Sequence, residues 1–133
     1  MALNLIFMGT PDFAVPVLQS IKFSEHKILC VYTQTPKKKN RGQKKGLTPI
    51  HEFSKQNNLN VRHPEKLDTE EEIEFFKKEK PDVVVVVAYG KILPKRLLNI
   101  KNIQFINVHA SLLPKWRGAC LLYTSDAADD RMR

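Results

Sequence analysis

Short apolar runs alternate along this chain with stretches in which apolar residues recur every three or four positions. Residues 3–8 form the first run, which ends at Gly9-Thr10-Pro11-Asp12; Phe13, Ala14, Val17, Leu18 and Ile21 follow at helical spacing. That succession predicts strand, turn and helix, with Asp12 as the N-cap and Pro16 in the first turn, where a missing amide hydrogen costs little. Residues 28–32 predict a second strand. Thr48 before Pro49 marks a helix start, and Ile50 and Phe53 carry its apolar face to Asn57. Thr69, with Glu72 three positions on, has the capping-box pattern, and Ile73, Phe75 and Phe76 supply the face buried behind it. Val83-Val84-Val85-Val86-Val87 is β-branched throughout, as a strand covered on both faces requires, and predicts a central parallel strand. A short helix over residues 94–98 and a last strand over 104–108 complete the series.

Strands that alternate with helices imply right-handed crossovers and a mostly parallel sheet covered on both sides. The expected architecture is α/β, a three-layer, Rossmann-like open sheet. Ligands of such sheets bind beyond the carboxyl ends of the strands. Three loops leave those ends here: residues 9–12, 88–90 and 107–114. The first lacks the second and third glycines of the dinucleotide fingerprint, so a nicotinamide or flavin dinucleotide is disfavoured.

Length narrows the picture to one domain, since 133 residues leave no room for a second. A hydrophobic share of 42% beside 27% charged residues is that of a folding chain, not a disordered one. The apolar start follows no basic region and is too short for a secretory leader, and the valine run is far too short to span a bilayer, so a cytoplasmic protein without membrane association is expected. Cys30 and Cys120 suggest no disulfide framework, and His26, His51, His63 and His109 are scattered, so no metal site is expected.

Charge is the one compositional feature that points to a partner. Lys37, Lys38, Lys39, Arg41, Lys44 and Lys45 lie between Gln34 and Thr48 without an acid, and carry +6 of the net +8. A basic loop on a near-neutral body suits a phosphate-rich ligand, nucleic acid first among them. A solvated lysine loop with no partner is the plain alternative.

The densest chemistry lies in Asn107-Val108-His109-Ala110-Ser111-Leu112-Leu113-Pro114. Alternate residues of an extended segment face the same side, so Asn107, His109 and Ser111 can converge on one ligand. The bland alternative is a strand-end Asn and His tied to backbone groups.

Three segments taken together carry a family resemblance. They are Met8-Gly9-Thr10-Pro11-Asp12-Phe13-Ala14-Val15-Pro16, Val86-Val87-Ala88-Tyr89-Gly90-Lys91-Ile92-Leu93-Pro94, and Ile106 through the Asn-x-His-x-Ser-Leu-Leu-Pro element to Ala119. In this order they resemble the N-terminal part of the methionyl-tRNA formyltransferases, over residues 2–119. The resemblance implies transfer of a formyl group from 10-formyltetrahydrofolate to the amino group of initiator methionyl-tRNA, by a metal-free enzyme whose full-length form is a monomer. It implies that Asn107 and His109 are two of three catalytic residues. Tyr89, Gly90, Ser111, Leu112, Leu113 and Pro114 would line the folate site. Lys37, Lys38, Lys39, Arg41, Lys44 and Lys45 would approach the tRNA, with Arg41 singled out because a guanidinium grips phosphate with two hydrogen bonds. Gly42 and Gly46 would keep that loop mobile until tRNA orders it. A sugar-nucleotide formyltransferase using the same donor and a non-catalytic nucleic-acid-binding module are the competing readings.

The pattern stops after Ala119. Residues 120–133 are expected to be non-native, translated from adapter DNA joined to a truncated reading frame. The family's third catalytic residue, an aspartate, and its C-terminal tRNA-binding domain would then be missing, and Asp126, Asp129 and Asp130 do not stand in for that aspartate. An inactive fragment with a truncated sheet is the resulting expectation. A sheet edge left uncovered in this way would invite association.

Overall fold

The computed structural model describes residues 1–38 and 45–109. Along the chain run β1 (Asn4–Gly9), a 3-10 turn (Asp12–Ala14), α1 (Val15–Lys22), β2 (Lys27–Tyr32), β3 (Lys37–Lys38), β4 (Lys45–Gly46), α2 (Pro49–Gln56), β5 (Val61–Arg62), α3 (Glu70–Glu79), β6 (Val83–Val87), α4 (Lys95–Leu98) and β7 (Gln104–Asn107). Five of the strands form one parallel sheet in the order β5-β2-β1-β6-β7. The antiparallel pairing belongs to the small ribbon of β3 and β4.

Alternation along the central strands divides the core in two. Ile6, Met8, Tyr32, Val84, Val86 and Phe105 pack with Ile73 and Phe76 of α3 and with Leu97 of α4. Phe7, Val31, Val85 and Val87 pack on the other face with Val17 and Leu18 of α1 and Ile50 of α2. Both faces are therefore covered, and the architecture is the expected three-layer, Rossmann-like α/β fold. Cys30 lies inside it, and burial pushes its thiol up to about 12, which leaves it a packing group and not a nucleophile. Among the described residues no helix is long and apolar enough to cross a membrane.

Close approach of β1 and β6 explains the residue at the end of β1. A Cβ on Gly9 would meet the Val87 carbonyl oxygen at 2.9 Å and the Phe7 ring at 2.8 Å. Only glycine lets the two strand ends lie side by side here.

Two of the expected caps behave differently from their sequence patterns. Asp12 does not cap α1: it opens the 3-10 turn, in which the Ala14 amide donates to the Pro11 carbonyl at 3.0 Å, and no side chain caps α1. Thr69 does cap α3, accepting from the Glu72 amide at 3.3 Å. Glu72, however, turns its carboxylate into the core. The Tyr32 hydroxyl donates to its Oε1 at 2.5 Å and the Arg62 Nη2 to its Oε2 at 2.9 Å, while the guanidinium lies 4.0 Å from the Phe75 ring centre. This buried cluster ties β2, β5 and α3 together, and burial together with the Glu72 bond holds the Tyr32 proton well above the usual tyrosine range.

Candidate functional site

The topology reverses at the centre of the sheet. From β1 the chain steps outward to β2 on one side, and it later fills β6 on the other, so the carboxyl ends of β1 and β6 flank the crevice where such folds place ligands. Gly9 is level with Val87, and Val86 is level with Asn107. The Val108 amide donates to the Val86 carbonyl at 2.8 Å, which carries the ladder one residue past β7. Thr10, Ala88 and His109 therefore stand abreast, along a row ~10 Å wide at usual strand spacing.

The turn after β6 is backbone-strained. Ala88 has φ 51° and Gly90 φ 94°, left-handed values that an ordinary side chain disfavours, and such outliers collect where a backbone serves a ligand. Between them the Tyr89 carbonyl accepts from the Thr10 hydroxyl at 2.7 Å and from the Gln34 side-chain amide at 3.2 Å. Tyr89 itself sends its ring into the core on the α3 side, not into the crevice. Its hydroxyl is buried without a hydrogen-bond partner among the described residues, and burial drives its pKa above the usual range. Lys91 fastens the far side of the turn, its ammonium donating to the Pro64 and Glu65 carbonyls at 2.9 and 2.7 Å.

Asn107 and His109 are half-buried at the end of β7. Phe105 packs on the α3 side and Val108 on the α1 side, so alternation puts Asn107 and His109 on one side of the strand, facing away from Val108. Ser111, Leu112, Leu113 and Pro114 lie outside the described residues.

Of the basic residues, Lys37 and Lys38 form β3 and Lys45 lies in β4; Lys39, Arg41 and Lys44 fall outside the described residues. Gly46, expected to loosen the loop, pairs with Lys37 in the ribbon instead, where it satisfies the backbone that a free loop would leave to water. Buried Thr33 and half-buried Thr48 close the base of this segment through a hydroxyl contact of 2.6 Å.

Two of the four histidines, scattered in sequence, meet in space. β5 returns beside β2 and carries His63 to the start of α2, where its ring centre lies 5.4 Å from that of His51. Burial, then the neighbouring His63, holds His51 below its ordinary value of 6.5, with Nδ1 buried and without a hydrogen-bond partner among the described residues. The unfolded chain takes up this proton near 6.5 while the folded chain resists it, so this contribution to stability is complete above 6.5 and is lost as the pH falls. Thermal unfolding at pH 5.5 and 7.5 is expected to show a smaller acid penalty in His51→Gln than in the unsubstituted protein.

An amide and an imidazole at the rim of a switch-point crevice form a pair suited to a reacting carbonyl. The amide donates to an oxygen that gains charge, and the imidazole can donate or accept a proton. Thr10 and Gln34, which hold the neighbouring turn, carry no signal in local spacing; only the glycine at position 90 hints that something packs there.

Comparison with known proteins bears on the same residues. The formyl transferase family model matches residues 3–125, six residues beyond Ala119. The chain is 49% identical over 126 residues to the methionyl-tRNA formyltransferase of Pelagibacter ubique (strain HTCC1062), covering 94% of this chain and 41% of that protein. To the methionyl-tRNA formyltransferase of Clostridioides difficile (strain 630) it is 50% identical over 117 residues, covering 88% and 38%. The chain thus spans about two-fifths of the length of the curated relatives it matches. Among solved structures, the phosphoribosylglycinamide formyltransferase of Streptococcus pneumoniae TIGR4 superposes with a TM-score of 0.52 at 18% identity, over 80% of this chain and 56% of that one.

Proposed function

The chain belongs to the formyl transferase family, and on that premise we propose that the complete gene product formylates the amino group of initiator methionyl-tRNA with 10-formyltetrahydrofolate. The observation that carries the reading is that relatives named methionyl-tRNA formyltransferase align at 49 and 50% identity across a segment holding the Asn107 and His109 pair. In this reading the amine attacks the formyl carbon, its new C–N bond forms, and the bond from that carbon to the folate nitrogen breaks. The carbonyl oxygen gains negative charge in between, and the Asn107 amide donates to it. His109 takes the proton that the amine loses, and the proton finally rests on the departing folate nitrogen.

Ser111, Leu112, Leu113 and Pro114 would line the folate body with Gly90, and Tyr89 would act through its carbonyl and backbone. The basic segment from Lys37 to Lys45 would face the phosphates of the acceptor arm, with Arg41 its strongest single contact. The work of such an enzyme is cytoplasmic.

Phosphate contacts make RNA binding salt-dependent, which separates this acceptor from a small one. The complete gene product is expected to bind methionyl-tRNA more weakly as salt rises, and Arg41→Ala is expected to shallow the slope of log K against log salt by about 0.7–0.9. Binding indifferent to salt, with formylation of a sugar-nucleotide amine, would favour the small-acceptor reading.

A further inference from the structure

Both ends of the basic segment converge on one carbonyl. At the leading end Gln34, half-buried and three residues before Lys37, donates to the Tyr89 carbonyl at 3.2 Å. Beside it the Thr33 hydroxyl meets the Thr48 hydroxyl at 2.6 Å. From Thr48 the chain enters α2, whose Ile50 amide donates to the Thr10 carbonyl at 3.4 Å, and the Thr10 hydroxyl donates to the same Tyr89 carbonyl at 2.7 Å. The circuit closes on the turn between Ala88 and Gly90, at the crevice between β1 and β6.

Gln34 also packs on this turn. A Cβ on Gly90 would lie 1.8 Å from the Gln34 Nε2, so the amide occupies the space that any side chain at position 90 would need. The φ of 51° at Ala88, a residue with a side chain, makes the turn a strained piece of backbone that these contacts hold in place, while Gly90 takes its φ of 94° freely.

We propose that Gln34 is a positioning residue that couples the basic ribbon to the Ala88-Tyr89-Gly90 turn, so that RNA on the ribbon tightens the binding of a reduced folate beside the turn. The inference rests on the formyl-transfer reading above. RNA held by Lys37 bears on the root at Thr33 and Thr48, already closed by their 2.6 Å hydroxyl contact, and through that root on the donor that fixes the Tyr89 carbonyl. Coupling of this kind is reciprocal, so folate tightens RNA by the same factor.

The test is a titration of the complete gene product with tetrahydrofolate, with and without an RNA stem-loop of the acceptor-arm type. The unsubstituted protein is expected to bind tetrahydrofolate about threefold to tenfold more tightly with the RNA present, the worth of one hydrogen bond. Gln34→Ala and Gln34→Met are expected to bring that ratio close to one while leaving RNA affinity in the absence of folate unchanged. Methionine fills the space beside Gly90 without donating, so it reports on the bond even if alanine loosens the fold. A ratio that survives in Gln34→Met, or a ratio of one in the unsubstituted protein, would overturn the coupling and leave the formyl-transfer reading standing. Failure of the unsubstituted protein to bind tetrahydrofolate at all would overturn both.

Discussion

Asn107→Ala in the complete gene product is expected to lower kcat for formyl transfer by a factor of about 10²–10³, the usual cost of removing one donor from a developing oxyanion. The loss should fall on kcat and leave the KM for tRNA nearly unchanged, because an interaction made only with the charged oxygen stabilises the transition state and not the bound substrate. His109→Ala is expected to act through the proton, so that its defect shrinks toward high pH, where solvent base can take the proton that the attacking amine loses. The two substitutions should be less than additive, since they serve the same tetrahedral species. Steady-state kinetics over a range of pH checks all of this. Full activity in Asn107→Ala would remove the amide from the mechanism.

The largest effect on stability is expected at Glu72. Its carboxylate is 4% exposed and is bonded to Tyr32 and Arg62. Glu72→Ala would strand the buried Tyr32 hydroxyl and leave the Arg62 guanidinium only the exposed Glu71 carboxylate, 3.7 Å away, at a cost of about 3 kcal/mol, or ~10 °C in Tm for a chain of this size. The guanidinium keeps some access to water, with 28% of its side chain exposed, which places the cost at the lower end for a broken buried pair. Replacing both partners, as in Glu72→Leu with Arg62→Met, should recover much of the loss by removing the unpaired charge. An unchanged Tm in Glu72→Ala would show that the cluster contributes nothing to the fold.

These residues also show how far a sequence can be read. The apolar runs of β1, β2 and β6 stand out because each buries residues on both faces, and their alternation with helical stretches dictates a parallel sheet. Thr48 and Thr69 are legible as caps, because capping is a local matter of one side chain and an amide three residues on. Glu72 is not legible as a core residue. Its partners lie 40 residues away at Tyr32 and 10 away at Arg62, and only the fold brings them together. β5 has two residues and no pattern of its own; it is a strand because β2 offers it an edge.

At the crevice the same division holds. The alternation that groups Asn107 with His109 is visible in the sequence because an extended segment imposes it. The turn after β6 is visible only as Tyr89-Gly90, where an aromatic beside a glycine suggests a pocket wall. In the structure the ring joins the core and the carbonyl faces the two donors, Thr10 and Gln34. Those donors come from other loops, 79 and 55 residues distant, so no spacing rule could find them.

The measurement that bears most directly on the proposed activity is transfer of labelled formyl from 10-formyltetrahydrofolate by the complete gene product, offered methionyl-tRNA and glycinamide ribonucleotide in parallel. Label is expected on methionyl-tRNA alone, and to be lost in Asn107→Ala. Label on glycinamide ribonucleotide with none on methionyl-tRNA, or none on either, would contradict the assignment.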